Sequence, residues 1–173
     1  AESLAAKADL MAYNAKTKEA YMAAREMAET ALALDPENIE ANKIAAMILV
    51  HQRGGGFGGT EADMKQARKY AAKVLRHDSQ IPLATYSYAL SFKSRHDPPE
   101  NALNAAGYAL DYYRDKGFMG SNLSLAGILL NGEKYDEALP PIRRAITWSK
   151  DPGMRMAAQS MRKYIEAESS QRK

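Results

Sequence analysis

Four similar stretches, each led by an alanine, recur along this 173-residue chain and constrain its fold more than any other feature. They open at Ala24 (AREMAETALALDP), Ala67 (ARKYAAKVLRHDS), Ala102 (ALNAAGYALDYYRD) and Ala138 (ALPPIRRAITWSKDP), at spacings of 43, 35 and 36 residues. The first interval is lengthened by the glycine run Gly54–Gly59. Small apolar residues within a stretch fall four and three apart, as Ala24, Ala28 and Ala31 do, and so share one face of a helix. Strict period-two alternation is missing and β-branched residues are sparse. The chain is therefore expected to be all-α, built from stacked helical pairs that bury their faces against neighbours.

The joint between the first two pairs, 24–46, is the most legible. Asp35 is expected to cap the helix that follows, and Pro36 suits a first helical turn because its missing N–H needs no partner there. Two helices joined so closely pack antiparallel, and alanines let their backbones approach. Thr60 and Asp63 read as a capping pair for a later helix. His77-Asp78 reads as a helix end with a basic residue against the dipole. Pro140-Pro141 either starts a helix or kinks one.

Removing about nine residues from the first interval leaves a period near the ~34 of the tetratricopeptide repeat. The chain resembles that family over nearly all its length. The fourth unit carries the pattern best, through Leu125-Ala126, Leu129, Gly132, Tyr135, Ala138, Ile142 and Ala145. The third offers Tyr88-Ala89, Phe92, Ala102, Ala106 and Ala109, and the second Ala45-Ala46, Leu49, Ala67, Ala71 and Val74. The first is degenerate, with Met11-Ala12, Ala15, Ala24, Ala28, Ala31 and Pro36. The resemblance implies a single α-solenoid domain over 1–173, a right-handed superhelix of four repeats at roughly 5–36, 37–79 (insertion 53–60), 80–117 and 118–151, with a capping helix at 152–169. Helices are expected at 2–15, 17–34, 37–52, 61–77, 80–94, 99–115, 119–131 and 134–149. Met154, Ala157, Met161 and Tyr164 should form the inner stripe of the cap, with Trp148 buried against it.

The net charge of +3 is too small to argue for nucleic acid or a membrane surface. Its distribution is uneven: residues 1–40 hold 4 basic and 8 acidic side chains, and 143–173 hold 8 and 3. Solvated outer faces explain this most simply; head-to-tail self-association is the sharper alternative. The longest apolar run, Ile44–Val50, is too short to span a bilayer. Without cysteine there is no disulfide framework or thiolate chemistry. The N-terminal residues lack a signal-peptide pattern, which favours the cytoplasm. An initial alanine leaves room for a removed leader, and so the periplasm, or for a longer parent protein.

No constellation in the sequence points to catalysis, a cofactor or a metal. The glycine run is followed by Thr60-Glu61 and not by the Lys-Ser/Thr of a phosphate loop. It reads as a flexible inter-helix loop, with Phe57 either tucking back onto the array or serving as a contact tip. His51, His77 and His96 are scattered with no ligand partner at helical spacing. The basic stretch Arg68, Lys69, Tyr70, Lys73 and Arg76 reads as a solvated face. Glu26 and Glu29 also read as surface.

In proteins resembling this one, the first helices of the pairs line a groove for a peptide or partner helix. Carried over by position, that groove comprises Asp9, Tyr13 and Lys16; Lys43, Ile44, Met47 and His51; Tyr86, Leu90 and Lys93; and Leu123, Gly127 and Asn131. The expectation is a non-enzymatic interaction module or scaffold. The alternatives are a regulatory segment of a larger bacterial protein, of cyclase or winged-helix type, and a solenoid that binds a small molecule.

Overall fold

Each alanine that opens a repeated stretch lies inside a helix that begins two to six residues before it. The computed structural model describes residues 1–54, 58–114, 116 and 119–171, with the backbone alone for Arg53, Gly54 and Met119. Nine helices and no strand occur among the described residues. They are α1 (Glu2–Asn14), α2 (Lys18–Leu34), α3 (Ile39–Gly54), α4 (Glu61–His77), α5 (Pro82–Leu90), α6 (Glu100–Tyr113), α7 (Met119–Asn131), α8 (Tyr135–Trp148) and α9 (Pro152–Gln171). The chain divides into two compact units, Ala1–Ser91 and Phe92–Lys173. The division falls between α5 and α6, inside the third expected pair.

In the first unit α1 packs on α2 and α3 on α4, while α1, α3 and α5 lie side by side. Ala5, Ala8, Ala24, Ala28, Ala31, Ala41 and Ala45 supply most of the core, so the backbones come close, and Ile44 and Ile48 fill what remains. Tyr21 crosses from α2 to donate its hydroxyl to the Ile48 carbonyl at 2.9 Å. Arg25 ties three helices together, donating to Gln52 Oε1 at 3.1 Å and pairing with Asp63 at 2.9 Å and Glu29 at 2.8 Å. The Thr60–Asp63 capping box forms as expected, with Thr60 Oγ1 accepting the Asp63 N–H and Asp63 accepting that of Thr60.

Two local features of the first unit differ from the expectation. Asn38, not Asp35, caps α3: its Oδ1 accepts the Ala41 N–H at 2.9 Å, and the helix begins at Ile39. Asp35 instead accepts the Glu37 N–H within the turn, so Pro36 lies in the turn and not in a helix. Buried Asn42 pins that turn from inside, donating to the carbonyls of Pro36 (2.9 Å) and Asn38 (2.8 Å). Lys73 of α4 donates to the same Pro36 carbonyl at 2.7 Å. The second is the end of α5, four residues short of position 94. The Ser91 hydroxyl donates to the Tyr88 carbonyl, and the Ser91 carbonyl accepts from Arg68 instead of continuing the helix.

In the second unit α7 packs on α6, α8 and α9, and α8 also packs on α9. The core is Ala102, Leu103, Ala106, Leu125, Ile128, Leu129, Ala138, Ile142, Ala145, Ala158 and Ile165. α8 begins at Tyr135, five residues before Pro140, so the prolines sit inside the helix and do not start it. Trp148 is 67% exposed, against expectation. The inward stripe of α8 is Ala138, Pro141, Ile142 and Ala145. At 100° per residue its next member is Ser149, which is buried, while Trp148 falls about 80° from the centre of the stripe. The stripe of α9 is likewise shifted by one position in two places: Ala158 and Ile165 are buried, while Ala157 and Tyr164 are exposed. Its methionines decide this. Met154 Cε and Met161 Cε lie 3.3 and 3.4 Å from where a Cβ on Gly120 and Gly127 of α7 would stand.

Candidate functional site

The layer α1–α3–α5 of the first unit carries most of the expected groove residues. Lys43, Met47 and His51 follow one another at i, i+4 and i+8 on α3 and so line up along its length. Ile44 and Ile48, one position on from Lys43 and Met47, turn into the core and fix the rotation of the helix. Met47 is half-buried and packs against that core.

His51 Nε2 lies 3.0 Å from the Tyr86 hydroxyl of α5, with the two rings edge to face at a centroid distance of 5.7 Å. The Tyr86 side chain is buried, so its hydroxyl is the part that meets α3. His51 itself reaches solvent, yet surrounding protein desolvates its imidazole and lowers its pKa. Behind it, burial and the neighbouring Tyr86 push the Tyr21 hydroxyl above its usual value.

At the other end of the line, Lys43 Nζ pairs with Glu40 at 2.6 Å. Asp9 of α1 belongs to the same cluster: desolvation, then the Glu40 charge, raise its pKa, and Lys43 opposes them. Asp9 and Lys16 are exposed, and Tyr13 is 87% exposed. The α3 line thus runs from a mixed-charge end through a thioether to an imidazole–phenol pair. It offers apolar contact in the middle and hydrogen bonding at both ends.

Other expected residues lie elsewhere. Leu90 belongs to the buried core of the first unit and Leu123 to that of the second, each turned inward by the helical period. Gly127 is covered by Met161. Lys93 follows α5 in a turn and donates to Ser124 Oγ at 3.2 Å, and Asn131 Nδ2 donates to the Arg95 carbonyl at 3.0 Å. Both therefore fasten the 92–95 turn to α7. Phe57 lies outside the described residues.

No protein-family model, curated protein or solved structure matches the chain. Among the described residues no group of three or more His, Asp or Glu side chains is placed to hold a metal ion. No helix of those residues is long and apolar enough to cross a membrane. Sequence reasoning missed the Arg25 hub, although the i, i+4 spacing to Glu29 was a signal for it. Partial burial alone would raise Asp63, but the Thr60 N–H and hydroxyl and the Arg25 charge outweigh it and hold its carboxyl below the usual range.

Proposed function

We propose that the chain is a non-enzymatic interaction module of the tetratricopeptide type, which holds a protein or peptide segment against the α1–α3–α5 layer. The observation that carries this reading is the line Lys43–Met47–His51, flanked by α1 and α5 and braced by the Tyr86 hydroxyl. Its spacing of four residues matches an amphipathic partner segment, which presents anchors at the same period. A half-buried methionine at the centre suits an adaptable apolar contact. Lys43 and Glu40 at one end favour a partner with a charged flank.

The test is affinity capture from the native organism with the partner identified, repeated with Met47→Glu and with Met156→Glu on the exposed face of α9 as control. A carboxylate at 47 should weaken capture of that partner at least tenfold, about 1.4 kcal/mol or more, and the control should not. Capture that survives Met47→Glu, or fails equally in the control, refutes this surface as the interface.

A further inference from the structure

The second unit holds a cleft between α6 and α8, floored by Leu129 of α7, with a volume of about 340 Å³. At one end Glu137 leans across it. Its Oε2 lies 3.3 Å from where a Cβ on Gly107 would stand, so a side chain at 107 would crowd the carboxylate. Glu137 makes no hydrogen bond or ion pair among the described residues. Pro140 and Pro141 line the same cleft and have no N–H, so their backbone offers a ligand no donor there. This end therefore presents the Glu137 carboxylate as its acceptor and no backbone donor from the two prolines.

Seven residues beyond Gly107 and Glu137 stand Arg114 and Arg144, about 10.5 Å further along each helix. Short connections on either side of α7 make α6 and α8 run in the same direction, so both arginines mark the same end. Arg114 is paired with Asp111. Arg144 is half-buried and makes no ion pair or hydrogen bond among the described residues. The cleft thus has two carboxylates and two guanidiniums. One unpaired carboxylate lies at the acceptor end and one unpaired guanidinium at the other. A simple anion meets Glu137 and Asp111, and a simple cation meets the arginines. A ligand with an ammonium at one end and a carboxylate at the other meets neither conflict.

We propose that the α6–α8 cleft binds a short peptide with free ends. Its ammonium lies at the Glu137 carboxylate, and its carboxylate is taken by the Arg144 fork at the end that Arg114 shares. At about 3.3–3.6 Å per extended residue, three residues span the distance between those ends. The site is independent of the α3 surface and uses none of its residues.

Trialanine titrated into the full chain, followed by amide chemical shifts, tests this directly. The free tripeptide should bind saturably with shifts around α6 and α8, and N-acetylation or C-amidation should each weaken it about tenfold. Arg144→Gln should bring the free peptide down to the level of its amide, and Glu137→Gln down to that of its acetyl form. The blocked peptides decide the matter on the unaltered chain if a variant misfolds. Absence of saturable shifts up to the order of 10 mM overturns the proposal. So does indifference to end-blocking, or equal competition by acetate alone, which would mark a plain anion site.

Discussion

At His51, desolvation by the surrounding helices favours the neutral imidazole, so folding lowers its pKa from the ordinary 6.5. Below that value the unfolded chain takes up a proton more readily than the folded one. Stability is therefore full above about pH 6.5 and is lost as pH falls through the lowered folded value. His51→Gln keeps a polar partner for Tyr86 but cannot titrate. Urea unfolding at pH 7.5 and 5 should show a smaller loss for the variant than for the parent. Asn42 illustrates a second residue-level effect. Its amide serves two carbonyls of the α2–α3 turn, so Asn42→Ala should cost about 1–3 kcal/mol, read from the urea midpoint.

At the scale of elements, the α7–α8 turn is fitted most tightly. Glu133 takes a left-handed backbone (φ 59°) while its N–H donates to Leu130 and that of Lys134 to Leu129. This closes α7 with the paired bonds of a Schellman turn. A Cβ on Gly132 would come within 2.4 Å of Leu103, which is buried on α6. Gly132→Ala should accordingly cost about 1–3 kcal/mol through overpacking, measured by thermal or urea unfolding. Helix positions were legible in the sequence because alanines at three- and four-residue spacing mark an inward face without ambiguity. The stripe of α9 was not. Ala157 and Ala158 serve its own period about equally well, and the glycine seats on α7 choose between them. Trp148 misled for a related reason: its size suggested burial, but the stripe of α8 passes through Ser149. The α3 line could be read from period alone, whereas the His51–Tyr86 contact joins residues 35 apart and depends on tertiary packing. The α6–α8 cleft was hidden behind two prolines that read only as helix breakers.

On the scale of the whole molecule, the acidic first forty residues and the basic last thirty-one give a separate test of how copies meet. Head-to-tail association through these charges predicts a sedimentation coefficient that rises with protein concentration at low salt. At about 1 M salt, where the screening length is about 3 Å, the rise should vanish. A coefficient that ignores both concentration and salt excludes such association. The methionine seats also make the packing of α9 sensitive to oxidation. Met154 and Met161 meet Gly120 and Gly127 through their terminal methyl groups, so the sulfur next to each methyl is where an oxidant would act. A sulfoxide there is polar and stiffer than the thioether, and the glycine seats have little room for its oxygen. Mild peroxide should loosen α9 first, seen as faster amide exchange over 152–171 before global unfolding. Methionine sulfoxide reductase should restore protection, and Met154→Leu with Met161→Leu should make the helix indifferent to peroxide.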